Sequence, residues 1–125
     1  MVVASGVALV VLGLLAVFQL ALVAGAPLGR FAWGGQHTVL PTRLRIGSVV
    51  SILIYAVFAA LLLSKSGLWR VVTSEKVLDI GLWVTSGYLC LGVLMNGISR
   101  SKPERNVMTP VAAVLAGCFF VAAVS

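Results

Sequence analysis

The chain has 125 residues, 61% of them hydrophobic and 10% charged, with a mean hydropathy of +1.15. A soluble domain carries about 25% charged residues, and a chain of this size has too little interior to hide so much apolar surface, so a soluble fold is excluded. The net charge of +6 comes from residues set between apolar runs, which points to orientation and lipid-headgroup roles and away from nucleic-acid binding.

Val2–Val23 is uncharged, and at helical rise it spans roughly 33 Å, enough for a bilayer core. Ala24-Gly25-Ala26 would pass as the exit of a signal peptide, but the run is too long for an h-region and lacks a basic n-region. It is therefore expected to be the first transmembrane helix, over about 2–24. Gly6, Gly13 and Ala16 share a face that would let a neighbouring helix approach closely. Gln19 extends that face and needs a partner inside the bundle.

A long connection follows, and 25–41 is expected to be a structured loop. Connections longer than about 12–15 residues are usually functional or disordered. This one is too aromatic and apolar for disorder. Pro27 ends the first helix between Gly25 and Gly29, and Gly34-Gly35 marks a second break. Phe31 and Trp33 suit an interfacial aromatic belt. The only histidine, His37, lies here.

Pro41 opens a second helix, about 42–63, with Arg43 and Arg45 at its start. Ser48, Ser51, Tyr55 and Ala59 recur at helical spacing and are expected to face inward. Ser64 to Arg70 reads as a short interfacial turn, and Thr73 or Ser74 as the N-cap of a third helix, about 75–98. Its inward stripe would be Gly81, Thr85, Tyr88, Gly92 and Asn96. Asp79 is close enough to the helix start to reach the headgroups. A polar connection then leads to Thr109-Pro110, read as N-cap and first residue of a fourth helix, about 109–124. Ala113, Ala116, Phe120 and Ala123 would form its packing face.

Cys90 and Cys118 lie within apolar runs and are expected to be small packing residues. A metal site takes about four N or S ligands, so no metal or cofactor is expected. No Walker loop, dinucleotide fingerprint, HExxH, CxxC or GxSxG occurs. The expected fold is an all-α membrane protein, a bundle of four transmembrane helices in one domain.

The segments Gly25-Ala-Pro-Leu-Gly29, Ala32-Trp-Gly-Gly35, Leu40-Pro-x-Arg-Leu-Arg45 and Asn96-x-x-Ser-x-Ser-x-x-Glu-Arg105 resemble those of a group of uncharacterised small bacterial integral membrane proteins. The resemblance implies a bacterial inner-membrane protein and brings no activity with it. In size and layout the chain also resembles small multidrug transporters. Those carry a glutamate deep in the first helix, and Val2–Val23 has no acidic residue, which argues against proton-coupled drug export.

Arg30, Arg43, Arg45, Arg100, Lys102 and Arg105 would flank one membrane face, and Lys65, Arg70 and Lys76 the other. The positive-inside rule then puts the first and third connections in the cytoplasm and both termini outside. This gathers Arg30, Trp33, Gln36, His37, Arg43, Arg45, Asn96, Ser99, Glu104 and Arg105 at one face. Arginine forks suit phosphate or carboxylate. The leading expectation is a non-catalytic module that binds membrane lipid, another lipid-like or anionic amphiphile, or a partner helix there. Its protein partner would be a second copy or another membrane helix. A small enzyme using His37 and Glu104 as acid and base is the alternative, and a transporter subunit is a third. Glu104 is expected to touch Arg43, Arg45 or Arg105, and Asn96 to hydrogen-bond the first loop.

The orientation is testable in a Cys-free variant. Cysteines introduced as Gln36→Cys and Ser101→Cys should resist an impermeant thiol reagent in intact cells, and Ser66→Cys should react. The opposite pattern would reverse the topology.

Overall fold

The computed structural model describes residues 2–125. They form an all-α bundle of four helices: α1 (Val2–Val23), α2 (Thr42–Ser66), α3 (Glu75–Gly97) and α4 (Thr109–Val124). All four segments are long and apolar enough to cross a membrane, counting α4 with the turn that precedes it. α1 pairs with α2, and α3 with α4. The two hairpins meet mainly through α1 against α4, while α2 and α3 share a thinner seam.

Local chemistry sets the ends. Gly25, with a φ of 94°, closes α1: its N–H reaches the Leu22 carbonyl at 3.1 Å, and that of Ala26 reaches Ala21 at 2.9 Å. Gly67 ends α2 in the left-handed region, so α2 runs three residues past the expected Leu63. The buried Ser64 holds the following turn, since its hydroxyl accepts from Val71 and Val72 at 3.1 and 2.9 Å. Ser74 caps α3 by accepting from the Val77 N–H at 3.3 Å, as its sequence position suggests. Asp79 is exposed and pairs with Lys65 at 3.9 Å.

The fourth helix differs from the expectation. Residues 102 and 103 are already helical, and a π turn, Glu104–Met108, runs without interruption into α4. Thr109 has helical φ and ψ of −63° and −50° and is not a cap. Pro110 therefore sits inside a helix, where it offers no N–H and its ring crowds the carbonyl four residues back. The wider π turn places the irregularity on the segment that must absorb it. The third connection shrinks to residues 98–101.

The core also corrects several faces. The buried side of α1 is Ser5, Ala8, Leu12, Gln19 and Leu22. Gly6 and Gly13 are exposed, with nothing within 4 Å of an added Cβ. In α4 the buried residues are Leu115, Ala116, Phe119, Ala122 and Ala123, while Ala113 and Phe120 face outward. Cys90 is exposed and Cys118 half-buried, and both are free thiols. On α2 the expected face is inward, with Ser48 fully buried and Ser51, Tyr55 and Ala59 partly so.

Phe58 of α2 joins the helices beneath this face. Its ring meets Tyr88 of α3 at 5.9 Å and Phe119 of α4 at 5.6 Å, both edge-on. Farther along, Gly81 of α3 lies against Leu61, where an added Cβ would come within 2.9 Å. The α2/α3 seam is thus closed toward the 67–74 turn.

Phe119 is 0% exposed and Phe120 is 53% exposed. Phe119→Ala should lower stability in detergent by about 3–5 kcal/mol, and Phe120→Ala by under about 1 kcal/mol. Equal losses in thermal unfolding would contradict this packing.

Candidate functional site

The connection from α1 to α2 is folded. The Gly29 N–H donates to the Thr38 carbonyl at 2.8 Å and draws the two ends of the loop together. A Cβ at Gly29 would strike the His37 carbonyl. Leu40 is buried, and the Arg45 Nε donates to its carbonyl at 2.8 Å. Two short 3-10 turns, Gly29–Phe31 and Trp33–Gly35, carry the aromatic residues.

Trp33 is the pivot. Its φ of 54° is the only positive value at a non-glycine among the described residues. A bulky residue there is strained, by an order of 1–3 kcal/mol. The ring lies on α2 where Gly47 leaves room, and its Nε1–H donates to Ser48 at 3.2 Å. The same loop meets the 98–101 connection: the Ser101 hydroxyl donates to the Arg30 carbonyl, and Gly35 makes space for that serine. The first and third connections therefore form one unit, as expected, but through Ser101.

Beneath this unit lies a chamber of about 220 Å³, bounded by the loop and all four helices. Leu15, Phe18, Ile54, Phe58 and Leu115 supply apolar walls. Phe31 and Trp33 border it from the loop. Its polar groups are Gln19, Ser51, Tyr55, Tyr88, Asn96 and Glu104. Trp33, Tyr88, Gly92, Asn96 and Glu104 also line an outer groove of about 770 Å³. Gly34, Gln36, Leu91, Met95, Ile98, Ser99 and Arg100 complete that groove. The exposed Leu91, Met95 and Ile98 put its apolar rim on the outer surface of the bundle.

The hydrogen bonds inside are incomplete. The Gln19 Nε2 donates to the Tyr55 hydroxyl at 3.4 Å, but Gln19 Oε1 is buried without a partner. The Ser99 hydroxyl donates to Glu104 Oε2 at 2.6 Å. Glu104 is 8% exposed and opens the π turn facing the chamber, followed at helical spacing by Met108, Val111, Ala112 and Leu115.

The expected arginine cluster does not converge on this space. Arg30 is exposed, with its guanidinium over the Phe31 ring at 5.1 Å. Arg43 is exposed, and Arg45 is engaged at Leu40. Arg105 reaches the Ser99 carbonyl at 3.4 Å. Among the described residues, none of Arg43, Arg45 or Arg105 is paired with Glu104. Glu104 lines the chamber from the π turn, while Arg45 and Arg105 are taken up by the Leu40 and Ser99 carbonyls and Arg43 is exposed. The Asn96 side chain makes no hydrogen bond to the loop; its backbone carbonyl instead accepts from Ser99 at 3.2 Å. His37 is half-buried and lines neither cavity, so the geometry gives it no shared site with Glu104.

Of the residues named from sequence, Trp33, Asn96 and Glu104 meet in the chamber, and Gln36 and Ser99 in the groove. Gln19 and Tyr55 were legible as inward-facing but belong to the site itself. Gly92 was legible likewise, as part of the inward stripe of α3, whereas Phe31 and Met108 carried no such signal. Compared with known protein families, curated proteins and solved structures, the chain matches none.

The Ser99–Glu104 bond can be isolated by a double-mutant cycle. Ser99→Ala and Glu104→Ala should each cost about 1–3 kcal/mol, and together less than their sum. Glu104→Ala with Arg43→Ala should be additive. Coupling to Arg43 instead would restore the ion-pair arrangement.

Proposed function

We propose that this protein is a non-catalytic membrane module that draws the head and first methylenes of a lipid-like amphiphile into the chamber beneath the first loop. The observation that carries this reading is the continuity of chamber and groove through Trp33, Tyr88, Gly92, Asn96 and Glu104. A polar end meets apolar walls and an apolar rim that would open toward the bilayer. Ligand sites typically combine an apolar lining with a few placed polar groups. The chamber is small for a whole amphiphile, so the chain would lie along the groove. By the basic-residue count, the loop end faces the cytoplasm of a bacterial inner membrane. The acid–base enzyme reading has less support, because His37 is away from both cavities.

Gly92 offers a test. It lines both spaces, and no atom lies within 4 Å of an added Cβ. Gly92→Leu should fill the passage without disturbing the helix. Native mass spectrometry of protein extracted in mild detergent should show one retained amphiphile on the wild type and none on the variant. Equal loading of both, or none on the wild type, would defeat the proposal.

A further inference from the structure

We infer that the chamber selects an amphiphile headed by a primary ammonium and discriminates against anionic heads; this rests on the amphiphile-binding reading above. Two acceptors in the chamber lack donors. Gln19, 8% exposed, has Oε1 buried and unpartnered. Glu104, equally buried, uses Oε2 to accept from Ser99, and its other oxygen accepts from no described residue. No Lys, Arg or His among the described residues lies within 4.0 Å of that carboxylate.

A buried carboxylate without a counter-cation is costly, and so is a buried amide oxygen without a donor. An ammonium supplies charge and three donors and brings no acceptor. Glu104, Gln19 and Tyr55 all line the chamber such a head would enter. The aromatic walls act in the same sense. Phe18, Phe31, Trp33, Tyr55, Phe58 and Tyr88 border the space, and ring faces attract cations. An anionic head would meet the carboxylate and the amide oxygen with no basic side chain on the chamber wall to offset them. Arg100 lines only the outer groove. There it would meet a phosphate if the ammonium belongs to a phospholipid.

The test uses the full chain in phosphatidylcholine nanodiscs at neutral pH. Trp69→Phe and Trp83→Phe leave Trp33 as the only indole. Bromine-tipped undecylammonium, undecanol and undecanoate are titrated as quenchers of Trp33, with binding corrected for partitioning. The ammonium probe should saturate at about tenfold lower concentration than the carboxylate probe, the effect of one charge-assisted hydrogen bond. Glu104→Gln should bring the two within about threefold. The comparison of heads on the unsubstituted site stands even if that variant does not fold. A carboxylate probe that binds as well as the ammonium overturns the selectivity and leaves amphiphile binding intact. No saturation by any probe removes both. Adding phosphatidylethanolamine separates the sources: competition identifies a bilayer lipid, and undiminished probe binding identifies a free amphiphilic amine.

Discussion

Trp33 rests on α2 at the one point where Gly47 leaves its ring room, and its indole N–H is fixed by Ser48. The rest of the loop-side architecture depends on this seating. It holds the 3-10 turns over the bundle, turns Gly35 toward Ser101 and so ties the first connection to the third. The strained φ of 54° is sustained by the ring's contact with Gly47 and its hydrogen bond to Ser48. Without it, the chamber would have its four helical walls and no roof.

The chamber itself follows from uneven closure of the α2/α3 seam. At Gly81 the two helices come close enough for Leu61 to fill the place of a side chain. The Tyr88–Phe58–Phe119 series then spans α3, α2 and α4. Beyond those rings the seam is filled by no large side chain and instead holds the chamber. A membrane protein must satisfy its polar groups internally, and most here comply. Ser64 takes two loop N–H groups, and the hydroxyls of Ser51 and Ser86 return to their own helices. Gln19 Oε1 and Thr109 Oγ1 are the buried side-chain atoms left without a partner among the described residues, and Gln19 lines the chamber together with Glu104.

The π turn links these features to the backbone. Pro110 removes a donor from the fourth helix, and the turn before it carries Glu104 and Met108 to the chamber wall. A helix starting at Thr109 would have left Glu104 in a surface connection, where an arginine partner is the natural assumption. Extending the helix back to residue 102 rotates the carboxylate inward and away from Arg43 and Arg45.

The amino-acid pattern was enough to place four spans, the folded first connection, the Ser74 cap and the inward positions of Gln19, Ser48 and Tyr55. Long uncharged runs must be helical in a bilayer, and isolated polar residues within them must face protein. The pattern could not say which apolar face packs. Lipid and core are equally apolar, so hydrophobic periodicity is silent where both surroundings are oil-like. That is why Gly6, Gly13 and Phe120 look like packing residues in sequence, while the bundle buries Ala8, Leu12 and Phe119. Which groups share the chamber was decided only in three dimensions. It turned on the passage of a helix through Pro110 and on a tryptophan seated over a glycine, and neither leaves a periodic trace in the chain.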